Sequence, residues 1–327
     1  MDAVFLDYYE EELGHIRGLA QEFAALHPNV ARNLALDAVP CPDPYVERLL
    51  EGVAFLAART RLKVDAEASR YVRNLLDMLY PDLAGPSPAM SMARMGPGPQ
   101  VERMLDGYRM KRGTRLVSGL REGLQTRCTY TTAQEVHLWP IKLGAVRYLP
   151  DRGALAQAGV SQTLTRGASA GLLFEIERQG AGALSDLSLD RLDVYLGTGA
   201  RGGALFDAAF GFGAGAAARP ADGRTPFRRI DAPQMVGISD TEALLPRVRP
   251  SFEGYRLLRE YFLMPERFHY MRLDGLAPVI RACDKGKAEI VVLLSAARGA
   301  LASITAQDLS LFVSPVVNLF EHECNLV

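Results

Sequence analysis

The chain has 327 residues, 48% apolar and 23% charged, and its 37 basic and 38 acidic side chains leave a formal net charge of −1. That length suits two or three domains with sizeable cores, the apolar fraction excludes a wholly disordered chain, and the balanced charge supplies no overall field for nucleic acid or anionic lipid. Cys41, Cys128, Cys283 and Cys324 lie far apart without a Cys-x-x-Cys pair, which excludes a dense disulfide framework and points to free buried thiols in a reducing compartment.

The opening MDAVFLDYYEEELGH is acidic and lacks the apolar run of a signal peptide. No later stretch approaches 18 uncharged apolar residues, so no bilayer span and no direct membrane insertion is expected. The reading is of a soluble, cytoplasmic protein. Residues 2–26 predict one long helix. Phe5, Tyr9, Ile16, Leu19, Phe23 and Leu26 recur at spacings of three, four and seven and share a narrow stripe, with Tyr8 flanking Tyr9. A seam of that kind suits a bundle, within the chain or with a partner. His27-Pro28 ends it, because proline cannot enter a helix interior and restrains the residue before it.

In CPDPYVERLLEGVAFL, residues 41–56, Asp43 is a natural N-cap and Pro44 fits the first helical position. A helix over 44–61 follows, with Val46, Leu49, Leu50, Val53, Ala54 and Ala57 on its apolar face. Gly52 costs about 1 kcal/mol of helix propensity relative to alanine and suggests the close approach of another backbone. Asp65 reads as the cap of a further helix over 66–80, which carries Tyr71, Val72, Leu75, Leu76, Leu79 and Tyr80 and stops at Pro81. The prolines at 86, 88, 97 and 99 mark a boundary, so residues 1–85 form a helical region.

Beyond it the pattern turns to β. VHLWPIKLGAVRYL at 136–149, with Pro140 as an edge or bulge, LLFEIER at 172–178, LDRLDVYL at 189–196, HYMRLDGL at 269–276 and EIVVLL at 289–294 are the strand candidates. A β-rich domain is expected over 86–200 and a second β-rich region over 226–327, with a short helix at FEGYRLLREYF (252–262). Residues 201–225 are dominated by glycine and alanine and predict a flexible loop between them, with room for a short helix near ALFDAAF. The terminal DLSLFVSPVVNLFEHECNLV is still apolar where the sequence stops, as in the front part of a longer chain. The fold class is α+β: an N-terminal helical region, then mixed, mainly antiparallel sheets, sandwich-like in one version.

Chemistry-bearing motifs are sparse. His15, His27, His137, His269 and His322 show no metal-ligand spacing, and the consecutive His322-Glu323-Cys324 cannot easily converge on one ion. GFGAG at 211–215 lacks the strand and helix of a dinucleotide loop, and Asp284-Lys285-Gly286-Lys287 lacks a phosphate loop's glycines and hydroxyl, reading instead as a turn. Glu175 and Glu177 share one side of a strand. They read as a polar face, with a glycosidase pair as the competing use. No serine sits in a Gly-x-Ser-x-Gly elbow. Neither catalytic residues, metal ligands nor a cofactor emerge. The basic span Arg103, Arg109, Lys111, Arg112, Arg115, Arg121 and Arg127 reads as a solvated or salt-bridged face, with an acidic partner as the alternative.

FLDYYEEELGHIRGLAQEFAALHPNVARNLAL at 5–36, CPDPYVERLLEGVAFLAARTRLKVDAEASRYVRNLLDMLYPDLAGPSPAMSMARM at 41–95, RGTRL at 112–116, CTYTTAQEVHLWPIKL at 128–143 and LFVSPVVNLFE at 311–321 resemble TssF, the baseplate wedge family of the bacterial type VI secretion system. The resemblance covers most of the chain and is weakest after residue 197. It implies a fold similar to contractile phage tail wedge proteins, in a protein near twice this length. It also implies a structural, non-enzymatic role: a second TssF copy joins TssG, the unit joins TssK and TssE, and six wedges surround the VgrG hub. The baseplate would then dock at the inner membrane on the membrane complex and start sheath assembly. In this light the interface or bundle-core candidates are Phe5, Tyr8, Tyr9, Ile16, Leu19, Phe23 and Leu26, with Val46, Leu49, Leu50 and Val53. The residues alone leave open whether the two stripes close on each other or on a partner.

Two rival readings remain at this stage. A hydrolase or transferase with a scattered active site would need a deep pocket of converging histidine or carboxylate groups. A β-rich ligand-binding module for carbohydrate or nucleic acid would need Arg109, Lys111, Arg112 and Arg115 in one exposed groove.

Overall fold

The computed structural model describes residues 3–36, 38, 40–81, 85–101, 104–120, 123, 125–246 and 252–321. It divides into two compact units, Met1–Gly85 and Pro86–Val327.

The first unit holds α1 (Ala3–Leu26), α2 (Pro28–Asn33) and α3 (Pro44–Leu79). Proline opens both later helices at the position where a missing N–H is harmless. The Asp43 carboxylate accepts the Tyr45 N–H at 2.9 Å, as an N-cap should. Helices were expected at 44–61 and at 66–80, yet α3 runs unbroken through Asp65. Residues 61–68 contain neither glycine nor proline, so nothing interrupts the backbone ladder, and the Asp65 carboxylate instead accepts the Tyr8 hydroxyl of α1 at 2.9 Å.

The α1 and α3 helices run antiparallel. Phe5 meets Phe55 edge-on at 5.2 Å, Arg61 pairs with Glu11 and Glu12, and Arg17 pairs with Glu47. Among the described residues of α1 and α3 only alanines are buried: Ala20, Ala54 and Ala58. Such small side chains let the two backbones come close, but they leave the large apolar residues to either side of the contact.

The second unit contains fourteen strands and four helices among its described residues. In chain order these are β1 (Met90–Arg94), β2 (Tyr108–Met110), β3 (Arg115–Val117), β4 (Thr129–Thr132), β5 (Val136–Leu138), β6 (Ile141–Leu149), α4 (Arg152–Gln157), β7 (Ala170–Arg178), β8 (Leu192–Tyr195), α5 (Gly199–Phe206), β9 (Gly213–Pro220), β10 (Arg228–Ile230), α6 (Glu253–Leu263), β11 (Tyr270–Leu273), α7 (Ala277–Ile280), β12 (Lys287–Leu294), β13 (Ser310–Leu311) and β14 (Val313–Val317). The sheets are β1-β14-β4-β3, β10-β9-β12-β7-β6, β11-β8-β13 and the ribbon β2-β5, and every strand pair is antiparallel. The architecture is therefore α+β, helices first and antiparallel sheets after.

The five-stranded sheet is buried on both faces, and its alternation divides two cores. Leu172, Phe174 and Ile176 of β7 and Ile290, Val292 and Leu294 of β12 point into the main core. They share it with Leu192 and Val194 of β8, Met271 and Leu273 of β11, and Trp139. Leu173, Val291 and Leu293 point the other way, onto Leu155 of α4 and Phe227.

Three expectations are corrected here. Residues 201–225 are not a loop: they supply most of α5, a π turn at Asp207–Gly211 and β9, an inner strand between β10 and β12. Ala216, Ala217 and Ala218 are fully buried there because a strand packed on both faces has room only for small side chains. The stretch 136–149 is two strands, with Trp139-Pro140 turning between them. Finally, 86–200 and 226–327 are not separate domains. β1 pairs with β14 and β7 pairs with β12, so chain segments about 200 and 100 residues apart close the same sheets. Phe312, with φ of 59°, makes the bend by which the chain leaves β13 for β14, passing from one sheet to another.

Candidate assembly surfaces

The residues singled out on α1 and α3 fall into two groups. Phe5, Tyr8, Tyr9, Ile16, Val46 and Leu50 are half-buried, consistent with a partly closed helix pair. Leu19, Phe23, Leu26, Leu49 and Val53 are exposed, Leu26 by 76% and Leu49 by 69%. Within the unit the alanine contact and the flanking rings are closed, Phe23 stands against His27 at 5.2 Å, and the outer residues keep exposed apolar surface. Tyr8 also carries Arg61 at 5.5 Å from its ring, and the hydrogen bond to Asp65 raises the Tyr8 pKa. The Glu47 carboxyl is held low, first by Arg17 and then by the Cys41 N–H.

The α3 helix outlasts α1. At 1.5 Å per residue, 36 residues span about 54 Å and 24 span about 36 Å. From residue 66 to Leu79 every side chain is exposed, including Tyr71, Val72, Leu75, Leu76, Met78 and Leu79. All of these but Met78 were read as a helix face, and none as a site residue. The missing signal was length: two separate helices could have folded back on each other, and a single straight one cannot. Nor does Gly52 admit a backbone of this chain. A Cβ built there, or at Gly14 or Gly18, meets nothing within 4 Å.

In the second unit a hollow of about 370 Å³ is lined by Arg109, Arg112, Glu135, His137, Arg191, Asp193, Glu242 and Arg272. These groups engage one another or nearby backbone. Arg272 forks onto both Asp193 oxygens at 2.8 Å each and reaches Glu242 at 2.8 Å, and the Asp193 hydrogen bonds raise its pKa. Arg109 pairs with Glu135 at 2.7 Å and Arg191 with Asp274 at 2.7 Å. Burial raises the Glu135 carboxyl, but bonds from Arg109 and His137 bring it lower overall. Arg112 donates to the carbonyls of Asp240, Thr241 and Ala243, and Arg115 to that of Glu321. Of the basic residues singled out from the sequence, Arg109 and Arg112 line this hollow, whereas Lys111 and Arg115 do not. Arg103, Arg121 and the His322-Glu323-Cys324 run lie outside the described residues.

Glu177, the partner of Glu175 in the paired-carboxylate reading, is clamped between Lys142 at 3.0 Å and Lys287, and the Lys287 and Lys142 bonds lower its pKa. Its lone pairs serve the rim of a sheet. Among the described residues no group of three His, Cys, Asp or Glu side chains could hold a metal ion, and no helix is long and apolar enough to cross a membrane.

Comparison with known proteins gives a consistent result. The family described as "Type VI secretion system, TssF" matches residues 1–327. The type VI secretion system component TssF1 of Pseudomonas aeruginosa is 38% identical over 335 residues, covering 100% of this chain and 53% of that protein. A chain in the cryo-electron microscopy structure of the TssK-TssF-TssG baseplate subcomplex superposes with a TM-score of 0.62 at 26% identity, over 84% of this chain and 49% of its own length. The chain thus spans about half the length of the relatives it matches.

Proposed function

This chain belongs to the TssF family of the type VI secretion system, and from that premise we propose that it is a structural subunit of the baseplate wedge. It is a scaffold that holds geometry, not a catalyst. Its direct partners are TssG, TssK and a second TssF copy. TssE joins the same wedge, and the assembled ring surrounds the VgrG hub, docks at the inner membrane on the membrane complex and supports the sheath.

The observation that carries this reading is the unburied apolar surface of the helical unit. Leu19, Phe23, Leu26, Leu49 and Val53 flank the alanine contact, and the last turns of α3 add six more apolar residues. Burying one such side chain is worth about 1.5–3 kcal/mol. Helices of partner subunits laid against this surface would therefore bind strongly. The open positions at Gly14, Gly18 and Gly52 give them room to come close. The charged residues of the hollow in the second unit fit the same role, since their ion pairs and backbone hydrogen bonds stiffen the scaffold.

The test is co-purification with the cognate TssG, with the complex mass read by light scattering. Two chains per TssG are expected for the unaltered protein. Phe23→Asp and Leu49→Asp should abolish the complex while the isolated variants still unfold cooperatively. Full retention of TssG by both variants would overturn the helical surface as the contact. Loss of cooperative folding in both would instead assign these residues to the chain's own core.

A further inference from the structure

The hollow of the second unit is unevenly bonded. Arg109, Arg112, Arg191 and Arg272 line it against Glu135, Asp193 and Glu242, and Arg191 has a further carboxylate in Asp274, outside the lining. The charges therefore nearly balance, and net charge does not select a ligand. What selects one is which polar atoms are already engaged. Every carboxylate oxygen of the lining has a donor. Arg272 holds both Asp193 oxygens and Glu242 Oε1, and the Gly237 N–H holds Glu242 Oε2 at 2.8 Å. His137 and Arg109 stand at 3.0 and 2.7 Å from the two Glu135 oxygens.

The guanidinium groups are not used up in the same way. Arg112 is committed to three carbonyls and Arg272 to its two carboxylates. Arg109 meets Glu135 at Nε, and Arg191 meets Asp274 at Nε. Among the described residues, neither arginine donates a hydrogen bond from Nη1 or Nη2. An arginine fixed at Nε keeps its outer edge as a two-pronged donor, which fits both oxygens of one carboxylate. The remaining lining includes Val136, Leu192, Phe312 and Val313. A bare oxyanion would use the forks and leave those side chains wet, whereas the methylenes of an acidic side chain cover them. The hollow, about 370 Å³, also falls in the range of ligand clefts, about 300–1,000 Å³. We propose that it is a docking site for an acidic segment of a partner protein, whose aspartate or glutamate carboxylates take the free edges of Arg109 and Arg191. It is an attachment point separate from the helical surface above, and it rests on the assembly reading for its biological setting.

The test uses the whole chain and fluorescein-labelled hexaglutamate, followed by anisotropy at low and at physiological salt. Unaltered protein should bind the peptide at low salt and less well as salt rises. Arg109→Gln and Arg191→Gln should each weaken binding by at least about threefold, and together by about tenfold, since each removes one charged fork. Arg109→Lys keeps the charge beside Glu135 but loses the fork, so it should bind as Arg109→Gln does. Lys111 is exposed but outside the hollow, and Lys111→Gln should change binding by less than about twofold. The emission of Trp139, the only tryptophan, checks that each variant is folded. A folded chain that does not bind hexaglutamate would overturn the proposal. So would arginine variants that bind as the unaltered chain does, or a loss from Lys111→Gln equal to theirs. Inorganic phosphate should displace the peptide no better than chloride at equal ionic strength; stronger displacement would assign the forks to a free oxyanion and sink the acidic segment. TssG capture is read separately on Phe23→Asp and Leu49→Asp, so failure here and failure of the wedge assignment are distinguishable.

Discussion

Replacing Glu260 by glutamine probes the buried cluster that sets the orientation of α6. Glutamine keeps an oxygen for the Leu244 and Leu245 N–H groups but removes the negative charge between Arg256 and Arg267. Arg256 retains Asp240 at 2.9 Å. Arg267 retains the Gly237 and Glu242 carbonyls and the face of Phe268 at 4.6 Å. Burial and then Arg256 already push the Arg267 pKa down to about 10, so an uncompensated charge there is costly. Breaking a buried pair from one side costs about 3–5 kcal/mol. In a unit of this size that lowers Tm by roughly 6–20 °C. Trp139, buried in the main core of the same unit, reports the transition. Arg267→Met removes the other partner, and the double variant leaves no orphaned charge between the two positions. Its cost should fall short of the sum of the single costs by at least about 2 kcal/mol. Additive costs, or a Glu260→Gln loss below about 1 kcal/mol, would refute the account of how α6 is held.

Three further outcomes are expected. Ala217→Leu should destabilise the second unit by about 1–3 kcal/mol through overpacking between Leu155, Phe227 and Val291, measured by denaturant unfolding followed at Trp139; a neutral result would mean that β9 is not confined on that face. Gly52→Ala should raise the thermal stability of the helical unit by about 1 kcal/mol, seen in its helical circular dichroism, because nothing in the chain occupies that position, and the same change should weaken TssG capture; a loss of stability would contradict the open notch. The Asp222 carboxyl is held at about 2, mainly by the Thr225 N–H, with the Thr225 hydroxyl and the Arg224 N–H adding to it. A depressed carboxylate contributes stability above its unfolded pKa near 4 and loses it as pH falls toward 2, so Asp222→Asn should flatten the acid limb of the stability curve in that window, and an unchanged limb would remove Asp222 from the account.

Local chemistry was legible before any coordinates. Asp43-Pro44 opens α3, His27-Pro28 divides α1 from α2, and the alternation in LLFEIER and EIVVLL marks two central strands, because caps, proline sterics and the period-two pleat act over a few residues. The helical residues that pair within the unit and those that stay exposed share one periodic stripe, and periodicity cannot say how far a neighbouring helix reaches. Whether Asp65 caps a helix or serves Tyr8 depended on a residue 57 positions away. The glycine- and alanine-rich stretch resembled a loop because its lack of side-chain bulk is unfavourable in isolation; between β10 and β12 the same lack of bulk is what fits. Likewise α6 shows a regular amphipathic pattern from its residues alone, but only the buried Arg267, seven residues beyond Glu260, decides that its charged face turns inward. Sequence settles what each segment can become within its own turn or pleat. Which face is buried is a choice between partners distant along the chain, and packing makes it.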